Sequence, residues 1–201
     1  MMNDEKRALL MMASRILSYP EDAFFDDLQA MESLLESHVT AERAVDSLNQ
    51  VFISLKKDTL QQLREHYVAV FDWKKKTGLY LTAQEYGDNR KRGGALIKLQ
   101  KMIAASGYEN VPDELVDHMP MLYEWMAVVD ESFHRDRIER RLAGVTFTIA
   151  NHLSEKSPYQ HVLQMLVDHV FGKPSKTEMD DLMREMEEAD EDELPYPLFY
   201  D

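Results

Sequence analysis

Apolar residues return every three or four positions along almost the whole chain, while its seven glycines and seven prolines fall mostly between the periodic segments. That spacing is the helical one, because side chains three and four apart share a helix face, and each face must then be covered by another helix. The chain is therefore predicted to be all-α. No sandwich-like strand pattern and no internal repeat competes with this assignment.

The punctuation sets the expected boundaries. A first helix runs from about Asp4 to Ser18 behind an Asn3 cap, and Tyr19-Pro20 ends it and opens the next, whose stripe is Phe24, Leu28, Met31 and Leu35. Thr40 is the predicted cap of a third helix carrying Val45, Leu48, Phe52 and Leu55. Asp58 is that of a fourth carrying Leu60, Leu63, Tyr67, Val70 and Phe71. After the lysine-rich "WKKKTG", a helix over about Asn89 to Ser106 carries Leu96, Leu99 and Ile103 and stops at Gly107. The segment "YENVPDELVDHMP" is expected to be a loop. Pro120 then opens a helix with Leu122, Trp125, Met126, Val129 and Phe133 inward, and another spans about Asp136 to Leu153. Ser157-Pro158 starts one that buries Tyr159, Val162, Leu163, Leu166 and Val170 before Gly172 and Pro174, and Thr177 is the expected cap of a last helix bearing Met179, Leu182, Met183 and Met186. The sum is a single-domain bundle of about eight helices over residues 1–174, followed by an acidic helix and tail over 175–201.

Length and charge narrow the function classes. At 201 residues the chain can bury one core, and 44% hydrophobic with 30% charged residues is too apolar for a disordered protein. It has no cysteine, which excludes disulfides, thiolate metal sites and cysteine nucleophiles and agrees with a reducing compartment. The first twenty residues are amphipathic, carry Arg15 and lack a small-residue cleavage pattern, so no export signal is expected; no run is long enough for a membrane span, and a cytoplasmic site of action follows. Residues Glu178 to Glu193 hold ten acids against Arg184 alone, contributing -9 of the net charge of -14. No basic face of the kind nucleic acid requires dominates the rest, and a basic peptide or protein is the more natural partner.

Several groupings admit more than one use. Seven histidines form no HExxH and no inward Glu-x-x-His set, so no metal site is predicted. Asp136 and Glu139 share a helix face that is expected to be solvated rather than catalytic. Gly93-Gly94 lacks the flanking pattern of a phosphate loop, and two glycines in a helix cost about 1 kcal/mol each relative to alanine. Close packing against another backbone is the favoured explanation, and approach of a ligand the other. Met102, Met119, Met121 and Met126 are either core or the lining of a groove for an amphipathic helix. Asp117 either orients the His118 imidazole or caps the Pro120 helix. Finally, Arg90, Lys91 and Arg92 fall in a predicted first turn, where the helix dipole disfavours cations by a few tenths of a kcal/mol each. Local stability did not select them.

Five stretches taken in order resemble one family: "SYPED" (18–22), "REHYVAVFD" (64–72), "LYLTAQEYGDNRKRGGAL" (79–96), "DELVDHMPMLYEW" (113–125) and "SPY" (157–159). The most specific part is Tyr86-Gly87-Asp88-x-Arg90-x-Arg92-Gly93 followed by Asp117-His118. Together they are similar to the NarJ-type assembly chaperones of respiratory nitrate reductase, within the TorD/DmsD-like redox-enzyme maturation proteins. Ala83 and Gln84 stand where that family has a second aromatic, and Val116 where it has a proline.

The resemblance implies a helical bundle of that type and a protein that is not an enzyme and carries no cofactor. Such a chaperone binds the N-terminal segment of the apo catalytic (alpha) subunit of nitrate reductase and holds the subunit competent for molybdenum cofactor insertion and membrane assembly. Molybdenum cofactor biosynthesis proteins are further candidate partners. The implied client groove takes apolar contact from Tyr67, Phe71, Tyr80 and Leu81. Its polar frame is Tyr86, Asp88, Arg90, Arg92, Asp117 and His118, with Tyr123, Glu124 and Trp125 close by. Arg90 and Arg92 then either hold the groove walls through ion pairs or meet a client carboxylate. The tail "DELPYPLFYD", with Leu194, Tyr196, Leu198, Phe199 and Tyr200, is a candidate competitor for the same groove. The rivals are a chaperone for another molybdoenzyme, such as a sulfoxide or amine-oxide reductase, a helical metal-dependent enzyme, and an acidic adaptor.

Overall fold

The computed structural model describes residues 2–109, 114–130 and 135–188. Ten α-helices account for most of them, and no strand occurs among the described residues. The all-α expectation holds, with more helices than predicted. The centre is α1 (Asp4–Ile16), opened by the Asn3 side chain accepting the Lys6 N–H at 2.9 Å. Its sequence is apolar on more than one face, and Leu9, Leu10, Met12, Ala13 and Ile16 are fully enclosed. A helix buried all round needs neighbours on several sides. They are α2 (Phe24–His38), α7 (Met119–Val128) and α9 (Pro158–Leu166). In turn α3 (Glu42–Leu55) and α8 (Asp136–His152) pack on α9. Each fully buried leucine in this core contributes about 1.5–3 kcal/mol relative to exposure.

The periphery positions the site. α4 (Leu60–Phe71) lays its aromatic side against Tyr159 of α9. A short α5 (Leu81–Tyr86) follows, closed by Gly87 at φ 56, and it packs on α6 (Lys91–Ala105) and α8. This six-residue helix is absent from the sequence-based prediction, being too short for a period to register. α9 ends in a π turn, Val167–Phe171, stopped by Gly172 at φ 83. α10 (Lys176–Glu188) lies on α8.

Several predicted caps are displaced by a residue or replaced from elsewhere. Thr40 does not cap α3: its N–H and that of Ala41 both donate to Glu5 of α1 at 2.8 Å, so a carboxylate distant in sequence does the work. Those two bonds lower the Glu5 pKa. Thr59, not Asp58, caps α4 through a reciprocal capping box with Gln62. Ser175, not Thr177, pairs in the same way with Glu178 ahead of α10. Pro20 does not open α2, which begins at Phe24 after a turn at Asp22 and Ala23; the Pro20 carbonyl instead accepts from Arg64. Phe133 and the tail residues Leu194, Tyr196, Leu198, Phe199 and Tyr200 lie outside the described residues.

Candidate functional site

The five sequence stretches, separated by up to two-thirds of the chain, meet along one seam. At one end Arg64 of α4 reaches back to the 18–22 segment, donating from Nε to the Pro20 carbonyl at 2.8 Å and meeting Asp22 at 2.7 Å. Three residues on, the Tyr67 hydroxyl donates to the Leu17 carbonyl, and its ring stands edge-on to Tyr19 at 5.6 Å. Also on α4, Phe71 packs at a tilt against Tyr159 at 4.8 Å and His66 stacks on it at 5.4 Å. Positions 64, 67 and 71 share a helix face, which is why one helix can tie three stretches together.

At the other end the chain entering α5 runs beside the chain entering α7. The Leu81 N–H donates to the Asp117 carbonyl at 2.9 Å and the Met119 N–H to the Leu79 carbonyl at 2.8 Å, an isolated antiparallel bridge centred on Tyr80 and His118. Asp117 is fully buried. Its Oδ2 accepts the backbone N–H and the hydroxyl of Thr82 in the first turn of α5, and Arg92 of α6 donates to Thr82 Oγ1 at 3.2 Å while standing 3.8 Å from Oδ2. Its Oδ1 has no hydrogen-bond partner among the described residues. A buried carboxylate satisfied on one oxygen only is costly to keep, since an unpaired buried acceptor retains its full desolvation penalty.

Both alternatives for Asp117 are thereby corrected. It neither orients His118 nor caps α7, because its carboxylate turns toward α5. The His118 ring instead lies 5.3 Å from Tyr80 and 3.7 Å from the Glu114 carboxylate. Burial lowers the His118 pKa despite the nearby carboxylates of Glu114 and Asp117, so the imidazole is neutral near pH 7. Burial and the Glu114 carboxylate, which accepts the Tyr80 hydroxyl proton at 3.1 Å, push the Tyr80 pKa up to about 12. Tyr67 is also raised, by burial first and then by Tyr159, Tyr80 and Glu114, which places the two ends of the seam within electrostatic reach. Tyr19 and Leu115 are among the apolar side chains left exposed beside it, at 43% and 47%.

The remaining predicted residues fall elsewhere. Tyr86 is half-buried, and Asp88 and Arg90 are exposed at the start of α6, with Asp88 4.0 Å from Lys75. Tyr123 is enclosed in the core, its hydroxyl bonded to Thr146 at 2.7 Å; Trp125 is buried and donates to Ser106. Glu124 faces Arg15 at 3.9 Å. Met119 and Met126 are fully buried and Met102 and Met121 pack against the core, so these methionines do not line an open groove. Among the described residues nothing approaches Gly93 or Gly94 within 4 Å of where a Cβ would stand, so close packing does not explain them; the helical glycine that is tightly approached is Gly144, facing Leu182 and Met179 of α10. Sequence reasoning also missed Thr82, Glu114 and the Glu85–Arg141 pair, a buried two-pronged contact at 2.7 and 2.6 Å that ties α5 to α8. Among the described residues no group of three or more histidines, aspartates and glutamates could hold a metal, and no helix is long and apolar enough to cross a membrane.

Residues 36–158 match the family model of the nitrate reductase delta subunit. Among curated proteins, the chain is 28% identical over 167 residues to the probable nitrate reductase molybdenum cofactor assembly chaperone NarJ of Bacillus subtilis, covering 83% of this chain and 90% of that protein. It is 27% identical over 124 residues to the Escherichia coli K12 nitrate reductase molybdenum cofactor assembly chaperone NarJ, covering 61% of this chain and 52% of that protein, so it spans about half of that relative's length. A nitrate reductase-like protein NarX of Mycobacterium tuberculosis is 30% identical over 155 residues, 75% of this chain and 22% of that protein.

Proposed function

Since the chain belongs to the nitrate reductase delta subunit family, we propose that it is a chaperone, not an enzyme, that assembles a nitrate reductase by holding its apo catalytic subunit ready for molybdenum cofactor insertion. The client element is the N-terminal segment of that subunit, taken up as an amphipathic helix in the cytoplasm, with cofactor biosynthesis proteins as further partners. The observation that carries this reading is the Asp117 carboxylate, fully buried at the seam with one oxygen unpaired. It asks for a donor that the described residues do not supply, and a peptide that parts the seam to reach it carries several. Tyr80, Leu81 and His118 belong to the same bridge as Asp117, while Tyr19 and Leu115 offer exposed apolar surface to the client's oily face.

Arg92 separates recognition from scaffolding. It is held at long range from Asp117 and through Thr82 rather than by a two-pronged pair, and its removal leaves α5 still anchored to α8 by Glu85–Arg141. Arg92→Ala is expected to weaken binding of a peptide copied from the first turns of the client about tenfold, with the melting temperature little changed. A large fall in melting temperature with unchanged peptide affinity overturns the recognition role.

A further inference from the structure

One feature of the surface has no use in client binding. Trp73, between α4 and α5, is 95% exposed and is the one non-glycine residue at positive φ, 54°, among the described residues. An exposed indole gains no burial and left-handed backbone is unfavourable for an L side chain, so the position carries two penalties with no internal return. Yet the turn is firmly built. The Thr77 hydroxyl donates to the Val70 carbonyl, the Gly78 N–H to the Lys74 carbonyl at 2.9 Å, and the Gln84 side chain to the Gly78 carbonyl at 2.8 Å. A Cβ at Gly78 would stand 2.8 Å from the Lys74 oxygen, so only glycine permits this closure.

Lys74, Lys75 and Lys76, all exposed, follow Trp73 directly in the chain, and the contact of Lys75 with Asp88 at 4.0 Å brings the approach to α6 alongside, with exposed Arg90 two residues on. Asp72 and Asp88 are the exposed acids of these two turns. In a chain of net charge -14 this is a local cationic surface. Trp73 lines neither the cavity beside Arg7 and Tyr108 nor the one between α8 and α10, so the exposed ring is part of neither concave site. A ring projecting from a rigid turn among flexible lysine stems suits a deformable layer with apolar and anionic levels: indole rings settle at the headgroup level, and each nearby lysine adds electrostatic attraction to an anionic leaflet.

We propose that the Trp73 turn, with Lys74, Lys75, Lys76 and Arg90, is a docking point for an anionic lipid bilayer, which the chaperone touches peripherally without inserting a helix. This does not rest on the client reading. The full chain is expected to sediment with vesicles of equal parts phosphatidylcholine and phosphatidylglycerol at low salt, to detach as salt rises, and to ignore pure phosphatidylcholine. Its indole emission should shift to the blue on binding, since the other tryptophan, Trp125, is already buried. Replacing each lysine by glutamine should weaken adsorption about fivefold. Trp73→Gly should lose the shift and weaken adsorption while melting at the same temperature or higher, because glycine suits the positive φ; a structural role for the ring predicts lower melting instead. Three results overturn the proposal. They are absence of binding to the anionic vesicles, adsorption unchanged in both Trp73→Gly and the triple lysine variant, and an emission shift produced by polyglutamate but not by vesicles, which assigns the surface to an acidic protein.

Discussion

His118 shows how one side chain at the seam joins folding to pH. Its ring is enclosed by Tyr80 and Glu114, and desolvation outweighs the attraction of two carboxylates for its charged form. The folded pKa therefore lies below the unfolded value of about 6.5. Where pH falls through that window, the unfolded chain takes up a proton that the folded one resists. Stability is thus full above about pH 6.5 and declines as pH drops toward the depressed value. His118→Gln should flatten the part of the urea-denaturation pH profile between about pH 7 and 5 relative to the parent. Superimposable profiles would show that the ring is not held neutral. Asp117, next to it in the chain, is a buried carboxylate whose second oxygen has no hydrogen-bond partner among the described residues.

Among the elements, the short α5 is fixed from three sides, and each tie is a named contact: Asp117 to its first turn, Arg92 through Thr82, and Arg141 of α8 to Glu85. The last is the strongest, because the Glu85 side chain is 1% exposed and Arg141 12%, with both prongs made. Truncating one partner strands the other's charge, so Glu85→Ala should cost about 3–5 kcal/mol in chemical denaturation, and Glu85→Gln less. A loss within experimental error would mean that α5 is anchored elsewhere. The long helices were legible because their period and punctuation reflect burial, and Leu9, Leu48, Leu99 and Leu163 are indeed buried as their spacing requires. The caps were less so. Neighbouring Ser, Thr and Asp offer equivalent oxygens, and only chain direction selects Thr59 over Asp58, while the carboxylate serving α3 comes from Glu5, which no local rule can find. Gly93-Gly94 and Gly144 make the same point: all three are helical glycines, but only the last faces another helix closely.

For the molecule as a whole, the seam joins α4, α5, α6, α7 and α9 at the one place where all five recognisable stretches meet. Sequence reasoning selected Tyr67, Phe71, Tyr80, Leu81, Arg92, Asp117 and His118, which lie along the seam, together with Tyr123 and Trp125, which are buried against Thr146 and Ser106, Glu124, which faces Arg15, half-buried Tyr86, and Asp88 and Arg90, which are exposed at the start of α6. Helical spacing within one stretch cannot reveal which face meets a partner. Thr82 and Glu114 escaped notice because their roles exist only once two distant segments lie side by side. The most direct test of the central claim is calorimetric titration of the full chain with a peptide of about fifteen residues, four helical turns, copied from the N-terminus of the nitrate reductase catalytic subunit of the same host, followed by amide exchange on the complex. One-to-one binding that slows exchange at Leu81, Thr82 and His118 is the predicted result. Absence of binding, or protection confined to surfaces away from those residues, would contradict it.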